Sequence, residues 1–104
     1  MAIFYNITGS TGVTVELIKP NADSDIKTVL LTNVHASNDA TVTLFIQDDP
    51  ASGATKTYNI IHTIAIPADT SLLLDNSSML TYDDKFGLYI TVGSSDTVDV
   101  MINN

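Results

Sequence analysis

Alternation with a period of two runs through this chain almost from end to end, and it limits what the chain can fold into. Val13, Val15 and Leu17 alternate with Thr14 and Glu16. Val42, Leu44 and Ile46 alternate with Thr41, Thr43 and Gln47. Tyr58, Ile60, His62, Ile64 and Ile66 share one face, with Thr57, Asn59, Ile61, Thr63 and Ala65 on the other. Phe86, Leu88, Ile90 and Val92 oppose Gly87, Tyr89 and Thr91, and Val98, Val100 and Ile102 oppose Thr97, Asp99 and Met101. Successive side chains of a strand point to opposite faces, so each run offers one apolar face to a core. Helical spacing is nearly missing. The pattern predicts burial of Val42, Leu44, Ile46, Ile60, Ile64, Leu88, Ile90, Val98 and Val100.

Two segments depart from clean alternation. Residues 27–34 (KTVLLTNV) and 71–74 (SLLL) read as central strands, or as strands covered on both faces by a neighbouring subunit. Residues 2–7 read as a further strand, pairing at an edge or with a neighbour. Short polar segments punctuate the runs: TGSTG at 8–12, PNADSD at 20–25, HASND at 35–39, DDPASG at 48–53, PAD at 67–69, DNSS at 75–78 and GSSD at 93–96. Gly, Pro, Asn, Asp and Ser each favour turns for their own backbone reasons. Residues 77–85 leave room for one helical turn. Short strands at regular spacing predict an all-β fold: an antiparallel β-sandwich, Ig-like or jelly-roll, of about eight strands. At 104 residues the chain suits one domain, 1–104, with residues 1–26 offering an N-terminal arm.

Charge narrows the function classes. Twelve acidic residues face four lysines, with no arginine, for a net charge of −8. Phosphate-backbone binding needs clustered Lys or Arg, so the sequence predicts no nucleic-acid partner. Attachment to an anionic membrane fails on the same ground. Cysteine is absent, which excludes a disulfide framework, a thiolate metal site and a Cys nucleophile. With no basic, apolar leader at the start, the expectation is a protein made in the cytoplasm.

Catalytic constellations are thin. No Ser sits in a GxSxG-like setting, and the only candidate bases are His35, in a turn, and His62, within a long strand. The reading is therefore of a protein that is not an enzyme and carries no cofactor. Asp48, Asp49, Asp83 and Asp84, with Asp75, flank strand ends where sandwich loops converge, which makes them weak candidates for Ca²⁺ ligands. Asp at a strand end also makes Asx-turns and blocks edge pairing, and that reading is favoured. Phe45 and Tyr89 lie opposite the apolar faces of their strands. They could stack on a sugar, but contact with a second subunit or sheet suits their flat, Thr-rich surroundings better.

The segments KTVLLTNVHASNDATVTLFIQDD (27–49), IAIPADTSLLLD (64–75) and FGLYITVGSSDTVDVMI (86–102) follow a recurrent order. A strand ends in Asn, a polar turn follows, then a VTLFI strand, an IPADTSLLL strand and two closing strands. This resembles small β-sandwich virion structural proteins of tailed bacteriophages, especially those of marine bacteria. The resemblance covers about three quarters of the chain and implies a structural role in the virion. That role would be capsid decoration (cement), with a neck or tail adaptor or a fibre-associated protein as the alternative. A carbohydrate- or Ca²⁺-binding module is the alternative from another class. The implied partners are the chain itself, as a homo-oligomer and by analogy a trimer, and the major capsid protein or other virion proteins. The expected interface residues are Phe4, Tyr5, Leu30, Phe45 and Tyr89.

Overall fold

In the computed structural model, residues 2–8, 14–21, 26–48, 56–75, 85–93 and 96–103 are described. They form eight strands: β1 (Ala2–Thr8), β2 (Thr14–Ile18), β3 (Thr28–Asn33), β4 (Ala40–Asp48), β5 (Thr57–Ile66), β6 (Ser71–Leu74), β7 (Phe86–Val92) and β8 (Thr97–Asn103). Sheet I has the order β1-β8-β3-β6 and sheet II the order β2-β7-β4-β5. Every pairing is antiparallel. The fold is the predicted all-β sandwich. The helical turn expected within 77–85 falls, but for Lys85, outside the described residues.

The topology is simple to state. The first strand pairs with the eighth, the second with the seventh, the third with the sixth and the fourth with the fifth. The chain is thus a long two-stranded ribbon, doubled back between β4 and β5 and then rolled. The β3·β8 and β4·β7 pairings close the roll into two sheets. Of the two sandwich types expected from the sequence, this is the jelly roll.

The core lies between the sheets. From sheet I come Ile7, Val29, Leu31, Val98, Val100 and Ile102, and from sheet II come Leu17, Ile18, Val42, Leu44, Ile66, Leu88, Ile90 and Val92. Six of the nine residues predicted as core are fully buried, and Ile46 and Ile60 pack partly against them. Ile64 is a correction, since it is 40% exposed. The cause is local. Thr63 takes a left-handed backbone (φ 55°), and the β4–β5 register shifts on either side of Leu44. Ile61, not Ile60, then stands opposite Leu44, and the strict alternation read along β5 is broken.

The two less regular segments separate. β3 is central, between β8 and β6, and its burial alternates cleanly: Val29, Leu31 and Asn33 inward, Thr28, Leu30 and Thr32 outward. For β6 the central-strand reading is corrected, because it is an edge strand with Leu73 60% exposed. At the end of β3 the fully buried Asn33 has its amide satisfied. Its Nδ2 donates to the carbonyls of Asn38 (2.8 Å) and Ile66 (2.9 Å), and its Oδ1 accepts from His35 N–H (3.0 Å). One side chain therefore ties the β3–β4 turn to the end of β5. Gly87 is needed where it stands. A Cβ there would lie 2.8 Å from the Ile18 carbonyl oxygen, where the chain leaving β2 crosses β7.

Candidate functional site: the outer faces of the sandwich

The candidate interface residues fall on different surfaces. Phe4 and Leu30 project from the outer face of sheet I. Phe45 and Tyr89 project from the outer face of sheet II. Tyr5 is turned inward, packs partly against the core, and donates its hydroxyl to the Leu17 carbonyl at 2.8 Å. Leu17 is the residue that the β2 bulge leaves without a partner on β7, so this bond pins β1 to β2 across the side of the sandwich.

Strand register on sheet I assembles a feature that no single strand shows. Phe4 pairs with Met101, Met101 with Leu30, and Leu30 with Leu73. These four residues form one straight apolar row across all four strands. Phe4 is 65%, Met101 41% and Leu73 60% exposed, with Leu30 half-buried between them. Polar rows border it on both sides. On one side Asn6 donates to Asp99, and Thr32 and Ser71 share a hydroxyl bond of 2.8 Å. On the other, Asn103 donates to the Thr28 hydroxyl at 3.1 Å. An open hollow of about 450 Å³ lies at the β1–β8 end, lined by Phe4, Tyr5, Asn6, Asp99, Val100 and Met101. Apolar centre and internally bonded polar rim are the anatomy of a contact surface. Among the described residues of these four strands Asp99 is the one charged side chain, although the chain carries −8.

Sheet II presents the contrasting face. Glu16, Tyr89, Phe45 and Asn59 form one row, and Thr14, Thr91 and Thr43 the next. The Phe45 and Tyr89 rings stack, with centroids 5.5 Å apart and planes 16° from parallel. The Tyr89 hydroxyl donates to Glu16 Oε2 (3.3 Å), and Thr14 and Thr91 share a hydroxyl bond of 2.8 Å. The two rings are thus each other's partners on this face.

The groups considered for chemistry are used locally. His35 Nδ1 accepts from Ser37 N–H and Asn38 N–H, both at 3.1 Å, and so shapes its own turn. His62 is exposed, with Nδ1 3.2 Å from the Thr63 hydroxyl. Asp48 Oδ1 accepts from Lys56 N–H at 2.7 Å, while Asp48 N–H donates to the Lys56 carbonyl at 3.3 Å, closing the β4–β5 hairpin. Asp75 is exposed at the end of β6, and Asp49, Asp83 and Asp84 lie outside the described residues. Among the described residues no three His, Asp or Glu gather as a metal site.

Met101 and Leu73 are the site residues that sequence reasoning missed. Met101 reads as outward-facing, but nothing along β8 shows that Phe4, Leu30 and Leu73 line up with it. That alignment is a property of register between strands far apart in sequence.

No protein-family model and no curated protein matches the chain. Among solved structures, a chain of the "Structure of infectious bursal disease virus Gx strain" is similar over 98% of this chain and 33% of its own length, with 16% identity and a TM-score of 0.49. The present chain thus spans about a third of the length of that one.

Proposed function

We propose that this protein is a non-enzymatic structural module that attaches to a larger assembly through the outer face of sheet I. The assembly we propose is a bacteriophage virion, and the role is capsid decoration. The observation that carries the attachment is the row Phe4–Met101–Leu30–Leu73, apolar across the full width of a sheet and left uncovered by the described residues. The resemblance of residues 27–102 to small phage virion proteins supports the choice of assembly, and the jelly roll is a recurrent architecture of viral shells.

Size supports a repeated contact. The four strands are seven, seven, six and four residues long, so at about 3.3 Å per residue and about 4.8 Å between strands they present a face of roughly 380 Å². A stable pairwise contact uses about 800 Å² on each partner. One such face therefore binds weakly alone and gains strength when many copies engage a lattice together.

The test is addition of the purified protein to phage particles that lack it, followed by sedimentation. Wild-type protein should pellet with the particles, and Leu73→Glu should stay in the supernatant with an unchanged melting temperature. Attachment to isolated tails or necks, with none to shells, would move the role to the neck. Failure to bind any of these, or equal binding by Leu73→Glu, would refute the proposal.

A further inference from the structure

The four edges of the two sheets are not alike. β6 is four residues long, between Asp69 and Asp75. β2 carries Glu16 and a register shift between Glu16 and Ile18, then runs into Lys19 and Pro20. β5 is distorted by the left-handed Thr63 and two register shifts. Shortness, charge, bulges and proline are the devices by which natural sheets prevent edge-to-edge pairing. β1 has none of them. It is seven residues long, reads AIFYNIT, holds an unbroken register with β8 from Ala2 to Thr8, and contains no charge, glycine or proline. Among the described residues no strand pairs with its outer edge.

We infer that β1 pairs with β1 of a second copy of this chain, joining two sheets I into one antiparallel eight-stranded sheet. An antiparallel strand pairing with itself is two-fold, so the unit is a dimer, in place of the trimer that analogy gives. A second copy suits this edge better than another occupant on two grounds. The edge is neutral, so two chains of −8 each can approach there without placing like charges in contact. One register also matches like with like. With Phe4 opposite Phe4 of the second copy, the two apolar rows join into one, Leu73–Leu30–Met101–Phe4 and its mirror. On the inner side, Ile3 then stands opposite Tyr5. A register shifted so that Tyr5 meets its own copy would set Phe4 against Asn6 and break the row. Alternate residues of β1 direct backbone N–H and C=O groups out of the edge, and the pairing would satisfy them.

This dimer shares Phe4 with the attachment face proposed above, but its test reads the free protein, so either idea can fail alone. Light scattering across a dilution series should give twice the chain mass at the high end. Phe4→Lys should weaken dimerisation about tenfold or more, by placing like charges across the two-fold axis. Phe4 is 65% exposed, so at dilutions where the wild type is monomeric its replacement should leave the melting temperature unchanged. Leu73→Lys, at the far end of the row, should still dimerise. The chain has no cysteine, so a single introduced one reports register directly. Phe4→Cys should form a disulfide-linked dimer on mild oxidation, because residues directly opposite across an antiparallel pair hold their Cα atoms about 4.5–5.5 Å apart, within the span of a disulfide. Asn6→Cys should not. The inference is overturned by a wild-type monomer at every concentration. It is equally overturned by a dimer that Leu73→Lys dissociates and Phe4→Lys does not, which would mean packing face to face. Faster cross-linking of Asn6→Cys than of Phe4→Cys would refute the register.

Discussion

On the outer face of sheet II the large side chains are satisfied by one another, whereas on the outer face of sheet I they are satisfied by nothing described. Phe45 stacks on Tyr89, Tyr89 reaches Glu16, and the neighbouring threonines bond across strands. On sheet I the polar residues are bonded in pairs, and the apolar row between them has no covering layer among the described residues. Among the described strand residues each face carries one charge, Glu16 or Asp99, while Asp39, Asp48, Asp69, Asp75 and Asp96 sit in turns and at strand ends. Exposed aromatic residues alone thus do not mark a docking face. What separates the faces is whether the rings already have partners.

The sharpest way to break the comparison is to show that the two sheets do not share one core. Leu31 of sheet I and Leu44 of sheet II are both fully buried. Each should lose about 2–5 kcal/mol of stability on replacement by Ala, from lost apolar burial and the cavity left behind. Leu30, adjacent to Leu31 but on the outer face, should lose far less. Chemical denaturation of the three variants checks this. Equal losses at Leu30 and Leu31 would mean that the outer face of sheet I is not a free surface.

Asn33 sharpens the contrast from inside. Its amide holds the turn after β3 and the carbonyl of Ile66 on the other sheet, so a fully buried side chain links the sheets through polar bonds. Asn33→Ala should cost about 2–3 kcal/mol, because it leaves buried carbonyls without a donor. Asn33→Asp keeps the acceptor for His35 N–H but removes both donated bonds, and should cost at least as much. A denaturation midpoint unchanged in both variants would show that water replaces the amide.

Much of the fold was legible because alternation is a local signal. The runs in β4, β7 and β8 carry their own face assignment, and Val42, Leu44, Leu88, Ile90, Val98 and Val100 followed from it. β5 misled because its alternation is interrupted by a backbone feature, the left-handed Thr63, that residue type does not announce. The adjacent Ile60 and Ile61 were the visible sign that one residue there falls out of step. Asn33 was visible as a strand-ending Asn, but its partners lie in the following turn and at the end of β5. The candidate site was the least legible part. Phe4 and Leu30 could be singled out as apolar residues in odd places. Their joining with Met101 and Leu73 depends on three strand registers, which are fixed by the rolled ribbon as a whole.

The smallest expected effect bears most directly on the difference between the two faces. If Phe45 and Tyr89 serve each other, their contribution belongs to folding and not to association. A double-mutant cycle of Phe45→Ala and Tyr89→Ala should then give a coupling of about 0.5–1.5 kcal/mol in stability, as stacked aromatic pairs do. The cycle is the right measurement because Tyr89 also reaches Glu16, and each single loss would mix that bond with the stacking. Neither substitution should alter the dimer mass or attachment to particles, because the pair lies on the sheet opposite the apolar row. Coupling near zero, together with loss of association in both single variants, would reverse the assignment. The aromatic pair of sheet II would then be the docking surface, and the row on sheet I an apolar stripe exposed for want of polar surface, as much of any folded protein is.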